Sequence, residues 1–304
     1  MVNSGYERAE GAEASPPGGE AGVVLVPHGL CWSTVVGLGL VHAAGVAGLV
    51  YLLVRPVLRT VLLGAAMYTI CGLSITAGYH RLFAHRSYRV AAPVRWVFLL
   101  FGAASLQNSA LSWSADHRAH HAKADGPDDP HAVSRGLWFA HVGWLVRRRQ
   151  ASADVTRLRD LWQVRSIRLQ HRGYLPVALV FGLALPTALA AMWGDAWGGL
   201  LVAGFLRIAV MLQATFSINS LAHSIGRRRY DTEATARDST VTALVTFGEG
   251  YHSFHHRFPF DYRNGVRWWH YDPSKWLIWS LARGRLASRL RTATQASVAR
   301  ALVA

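Results

Sequence analysis

Four long apolar runs constrain this chain more than any other feature. Residues 30–54, 57–79, 174–193 and 197–217 are almost free of charge, and each matches the roughly 20 residues that a helix needs to cross a bilayer core. Hydrocarbon offers no water to a backbone N–H or C=O, so each run must close its own hydrogen bonds as a helix. Arg55-Pro56 separates the first two runs and Gly194-Asp195-Ala196 the last two. Breaks this short make two tight helical hairpins. The predicted fold is therefore all-α and integral to a membrane, with four spans. His42, the ionisable group of the first run, reads as a packing or interfacial residue. Arg207 sits in the middle of the fourth run. A charge at that depth is costly, and marks either function or pairing inside the bundle.

Length alone would allow two soluble domains, but 51% of the 304 residues are hydrophobic and only 16% charged, against a net charge of +15. Of the 32 Lys and Arg, 15 lie in residues 80–173 and 13 in residues 224–304, while Arg55 and Arg59 flank the other side. The positive-inside rule then puts both large loops and both termini in the cytoplasm. Nucleic-acid binding does not fit, because the basic residues lie between apolar spans and form no known binding motif. Cys31 and Cys71 both fall in apolar runs and there is no Cys-x-x-Cys, which excludes a disulfide framework, cysteine-rich zinc sites and iron–sulfur clusters. The first apolar stretch is too long for a cleavable signal peptide. Residues 1–29, rich in Gly, Ala, Glu and Pro, read as a flexible tail. Residues 96–106 and 136–146 are apolar but too short to span, and fit interfacial helices. Arg147-Arg148-Arg149 follows as a solvated or headgroup-facing run. Trp268, Trp269, Trp276 and Trp279 read as interfacial aromatics. In the basic C-terminal segment 281–304, residues 283–300 resemble an amphipathic helix on the membrane.

Histidines mark the ends of these runs. Asp116-His117-Arg118-Ala119-His120-His121 and His252-Ser253-Phe254-His255-His256 share the pattern His-x-x-His-His. With 15 His in the chain, one copy should arise by chance about 0.04 times. His80 and His85 follow the second run and His223 the fourth, so all nine fall on the predicted cytosolic side. His117, His120 and His121 share a helix face, as do Asn219 and His223. His80 and His85 do not: five residues turn an α-helix about 140° past a full turn. Either they serve different ions or the helix distorts between them. Neutral imidazole binds iron, zinc, copper and nickel. Nine are too many for one ion; shared by two they leave each with four or five, and positions open for oxygen or a bridging water. Asn219 can add a contact through water. Asp116, Asp129, Glu249 and Asp261 are candidate acceptors for imidazole N–H groups. The Glu-x-x-His pattern of soluble di-iron bundles is not evident.

At these residues the chain resembles the membrane fatty acyl-CoA desaturase family of the stearoyl-CoA type. His80-Arg81-Leu82-Phe83-Ala84-His85 is similar to its first histidine box and residues 116–121 to its second. Residues 248–256, running on as Phe258-Pro259-Phe260-Asp261-Tyr262, are similar to its third, and residues 219–223 to its fourth metal-binding element. Ala140-His141-Val142-Gly143-Trp144 also resembles the family. The resemblance covers about residues 30–280 as a desaturase domain. It implies four spans under a cytosolic helical cap, and a di-iron centre that uses O2 to place a cis double bond, usually between carbons 9 and 10, in a saturated acyl chain. The ligands it implies are His80, His85, His117, His120, His121, His223, His252, His255 and His256, with Asn219 through water. Gln107, Trp113 and Thr215 match residues lining the bend of the acyl tunnel. Tyr68 matches the residue closing its far end, with Gly72 a turn later. Asn108, Asp116, Arg148 and Arg149 match residues near the CoA head group. Ala115 stands where the pattern often has Arg, and Phe216 replaces a Trp; the first leaves an acyl carrier protein or lipid ester open as the acyl carrier.

Taking hydrogen from an unactivated alkyl chain needs oxidising power that side chains lack, and a dry, narrow channel that presents one methylene pair. The sequence shows no cytochrome b5, ferredoxin or flavin motif, so electrons are expected from a separate carrier docking on the basic face. A lipid hydroxylase on the same centre is the rival enzyme. A metal transporter is remote, since transporters hold ligands near the midplane and these lie at helix ends.

Overall fold

A computed structural model describes residues 29–147, 155 and 158–303. Arg148, Arg149 and nearly all of the expected N-terminal tail lie outside the described residues. Among the described residues, four helices are long and apolar enough to cross a membrane: Trp32–Val54, Leu58–Ala84, Tyr174–Ala191 and Ala196–Ser220. Among the described residues the regular structure is helical apart from one two-residue strand pair, Arg89–Val90 against Ala287–Ser288. Half or more of an apolar 18-residue stretch of the second and fourth spans is buried (50% and 56%), against 11% and 22% for the first and third. The second and fourth spans therefore form the inner pair, and the outer two face lipid.

Small residues set the helix spacing. The first span crosses the fourth at Gly45 and Gly48, and a Cβ at Gly48 would come 2.2 Å from the carbonyl of Leu201. Backbones this close gain van der Waals contact, the main attraction between helices in lipid. At the end of the bundle away from the histidines, the turn residue Asp195 is 2% exposed. It accepts a 2.6 Å hydrogen bond from the Tyr51 hydroxyl and another from Thr60, while Trp193 Nε1 donates to Thr60 Oγ1 at 3.1 Å. One carboxylate thus joins the turns of both hairpins.

Arg207 is a structural clamp. Its guanidinium donates to the carbonyls of Ala104 and Gly182, each at 2.8 Å, and Ala203 at 3.2 Å. All three lie where a regular α ladder is broken. Ala104 caps helix Ala92–Ala103, Gly182 is in the wide-turn stretch Val180–Ala184 and Ala203 in Gly199–Leu206. The charge meets carbonyl dipoles contributed by three helices.

Beyond the spans, short helices make a cap. Ala92–Ala103 packs its buried Phe98 and Leu99 on the second span, with Leu111, Ile167 and Ile278 in the same core. Ala110–Lys123 follows, capped by Ser109, whose hydroxyl accepts from the N–H of Ser112. His252–Arg257 and Pro273–Arg283 complete the part that matters for the site. The amphipathic helix expected over residues 283–300 does not form. After Gly284 the chain pairs Ala287–Ser288 with Arg89–Val90, the N–H groups of Arg291 and Ala293 bond Ser87 O and Asp261, and only Gln295–Ala301 is helical. Tertiary partners for the extended backbone outweigh the local helical pattern.

Replacing Arg207 by Met should strand three buried carbonyls at about 1 kcal/mol each. The thermal midpoint in detergent should fall by on the order of 10 °C, and Arg207→Lys should recover less than half of it.

Candidate metal centre

The second span changes its winding where the histidines begin. From Ser74 to Ala84 it runs as π-helix, and the N–H of His85 reaches back to the carbonyl of His80 at 3.1 Å. In these i→i+5 turns, residues five apart lie on one face. The rings of His80 and His85 are 4.9 Å apart. Of the two readings that their spacing allows, the distorted helix is the one found.

Two groups of imidazoles result. His80, His85, His117, His121 and His255 form one; His120, His223, His252 and His256 form the other; within each, all donor atoms lie within 4.8 Å of one another. The two His-x-x-His-His helices are shared reciprocally. Ala110–Lys123 gives its i, i+4 pair, His117 and His121, to the first group and His120 to the second. His252–Arg257 gives His252 and His256 to the second and His255 to the first.

The contacts inside each group are nitrogen to nitrogen. In the first, Nε2 of His255 is 3.0 Å from that of His80 and 2.9 Å from that of His121, and His85 and His117 meet at 2.7 Å. In the second, His252 meets His223 at 3.0 Å and His256 at 3.1 Å, and His120 meets His256 at 3.3 Å. His80 Nδ1 donates to Glu249 at 2.7 Å and His120 Nδ1 to Asp129 at 2.8 Å. His223 Nδ1 donates at 2.7 Å to Thr235 Oγ1, whose own proton goes to Asp125. In their neutral form these three imidazoles present lone pairs at Nε2. Where two lone pairs meet at such distances they repel, and a cation between them turns the repulsion into shared ligation. Nitrogens about 2.1 Å from one ion and at right angles would be about 3.0 Å apart, so the donor set fits two metal ions.

Burial favours the neutral, metal-binding form of seven of the rings. It pushes His85, His117, His121, His252, His255 and His256 well below the ordinary histidine pKa, with neighbouring imidazoles adding to the effect, and brings His223 down to about 4. Burial alone would raise the Glu249 carboxyl, but His80 and Arg81 outweigh it and hold it below its usual value. Glu249 also accepts from Arg81 Nη2 and Asn264 Nδ2, and Arg81 forms a second buried ion pair with Asp272. Asp261, expected as an imidazole partner, does otherwise. It binds Arg263 and the backbone N–H groups of Arg263 and Ala293, because its loop packs against the C-terminal segment.

A cavity of about 40 Å³ touches both groups, lined by Ile75, Thr76, Trp113, Thr215, Ile218 and Asn219 beside His80, His117, His120 and His252. Trp113 stacks on His117 at 4.9 Å, and Gln107 Nε2 donates to Thr215 Oγ1 at 2.9 Å. Tyr68 is not among the lining residues. It packs against Phe247 and donates to Val245 O at 3.3 Å. Asn108 is exposed with φ +76°, its N–H bonded to Tyr174 Oη. Asp116 is half-buried on the Ala110–Lys123 helix. The fatty acid desaturase family model matches residues 55–290. The chain belongs to the fatty acid desaturase family. Acyl-CoA desaturase 1 of Saccharomyces cerevisiae is 44% identical over 251 residues, 81% of this chain and 49% of the yeast protein. The Delta(9)-fatty-acid desaturase fat-7 of Caenorhabditis elegans is 37% identical over 240 residues, covering 77% and 71%. Human stearoyl-CoA desaturase is 34% identical over 273 residues, covering 88% and 76%. The chain thus spans about half the length of the yeast relative. The fold and these relatives make this a multi-pass membrane protein whose histidine groups fit a desaturase metal centre.

Sequence reading missed Ile75, Thr76 and Ile218. Thr76 had a local signal, four residues before His80. It also missed the Thr235–Asp125 brace, whose partners are 110 residues apart and carry no local signal.

Glu249→Gln should weaken retention of a divalent ion at the five-histidine group by ten- to a hundredfold, the order seen for outer-shell partners. Dialysis against graded chelator with metal analysis should show one ion leaving early and the other unchanged.

Proposed function

We propose that this protein is an oxygen-dependent di-iron desaturase that places a cis double bond, at the Δ9 position, in a saturated fatty acyl-CoA. The observation that carries the reading is the pair of reciprocally built imidazole groups opening on one shared cavity. All nine histidines act as ligands, with Asn219 completing the second group through a water. Bound iron supplies the oxidising power to take hydrogen from unactivated methylenes.

The other residues position and protect. Gln107 and Thr215, hydrogen-bonded to each other, bend the acyl chain, and Trp113 presses one methylene pair toward the metals. Ile75 and Ile218 keep water from the reacting carbons, which raises the strength of every electrostatic contact there. Tyr68, with Gly72 beneath it, closes the far end of the tunnel. Asn108, Asp116, Arg148 and Arg149 receive the CoA head group. Each turnover removes two hydrogens and reduces O2 to two waters, which takes two more electrons and two protons. The electrons come from a separate acidic carrier of the ferredoxin, flavin or cytochrome b5 type. The metal site and both termini face the cytoplasm, on the side favoured by the basic loops.

Expression in a host with a saturated lipid background and a compatible reductase should give a new monounsaturated acid, located by mass spectrometry and absent in His120→Ala. A hydroxylated acid instead would sink the desaturase reading in favour of oxygen insertion. Tyr68→Ala should shift the product profile toward longer chains by two or more carbons; an unchanged profile would remove Tyr68 from the tunnel end.

A further inference from the structure

The second span is covered earlier along its length than a water-bounded cap requires. About 20 residues cross the hydrocarbon, so from Leu58 the apolar layer reaches roughly to Ala77. Yet Cys71, Gly72 and Ser74–Ala77 are already buried. Besides the neighbouring spans and the Ala92–Ala103 helix, two segments of the last third of the chain reach this stretch. Phe247 lies 5.5 Å from the Tyr68 ring, and so close to Gly72 that a Cβ there would come 2.3 Å from it. Ser274, in the first turn of Pro273–Arg283, is hydrogen-bonded to Thr76 at 2.5 Å. Both segments therefore sit at the depth of the outer part of one leaflet. Both also turn large apolar groups outward: Val241 and Leu244 beside Phe247, and Trp276 and Trp279 on the helix, with Trp268 at 82% exposure in the loop before it.

This apolar face carries cations. Arg267 lies 5.1 Å over the Trp269 ring and Arg283 5.8 Å over Trp279; neither has an ion pair among the described residues. A cavity of about 240 Å³ opens between Trp268, Trp276 and Trp279, with Lys275 in its wall. Lys275 Nζ is held by the carbonyls of Gly265, Arg267 and His270 at 2.6–3.1 Å, with no carboxylate in ion-pair range among the described residues. Indole and guanidinium side by side at this depth suit the headgroup layer. We propose that this face is a docking surface for anionic phospholipid, with Arg267 and Arg283 attracting its phosphate and the acyl chains against the Trp276 and Trp279 rings. A soluble acidic partner fits the charge but not the depth. The proposal rests on the membrane fold and is independent of the metal assignment.

The test uses the full chain in nanodiscs of phosphatidylcholine and phosphatidylglycerol. A nitroxide is placed at Trp279→Cys, with Glu233→Cys as aqueous reference, in a Cys31→Ser background. Power saturation should give the label at position 279 oxygen-rich, nickel-poor accessibility at headgroup depth, unlike the reference. In parallel, native mass spectrometry of the Arg267→Gln, Arg283→Gln double variant should show phosphatidylglycerol retained on the order of thirtyfold more weakly, at unchanged metal content. Aqueous accessibility at position 279 would overturn the proposal and leave the face to a soluble partner. Undiminished phosphatidylglycerol retention would overturn it too.

Discussion

Nine imidazoles aim their nitrogens at two points inside a protein, and each point calls for a cation that the crowded donors can share. The surroundings answer this demand. Each group has one imidazole fixed by a buried carboxylate, His80 by Glu249 and His120 by Asp129, so tautomer and ring orientation are set before any ion arrives. Arg81, 1% exposed, lies between Glu249 and Asp272 and ties the loop after the third histidine motif to the second span. Losing one member of such a buried ionic set leaves the others uncompensated, which costs far more than the intact set contributes.

Within the membrane the same rule appears with less charge. Arg207 joins three helices through backbone carbonyls, and Asp195 joins the two hairpin turns through hydroxyls. Polar groups in hydrocarbon persist only where each finds a partner. Here the partners come from different helices, so the interactions that make these groups tolerable also fix the bundle.

The spans were legible because hydrocarbon is a uniform solvent: any helix crossing it needs the same length of apolar side chains, whatever it packs against. The second span runs on to Ala84, beyond the expected residue 79, because its wide turns carry the helix into the cap. Which histidines would meet was not legible. The assignment of His80 and His85 to one group depends on helix winding that no side-chain pattern announces. The sorting of each His-x-x-His-His motif between groups depends on how two helices face each other. The role of Arg207 was open from sequence for the same reason, since its acceptors are carbonyls of residues 25 and 103 positions away. The segment after Gly284 was misjudged because strand pairing with residues 89–90 is a long-range choice.

The π-helical stretch Ser74–Ala84 has a consequence for how such a protein can vary. It works as a phase shifter. Below it the helix presents one angular register to lipid and to the neighbouring spans; above it, another register holds the imidazoles. Because the turns between are wide, the rotation of one part is not rigidly dictated by the α period of the other. The lower half can be re-patterned for a different bilayer without turning the histidines off their points. The same looseness makes the stretch sensitive to length. Deleting one residue within it would tighten the winding toward α and swing the lipid-facing half by about 100° relative to everything the cap holds.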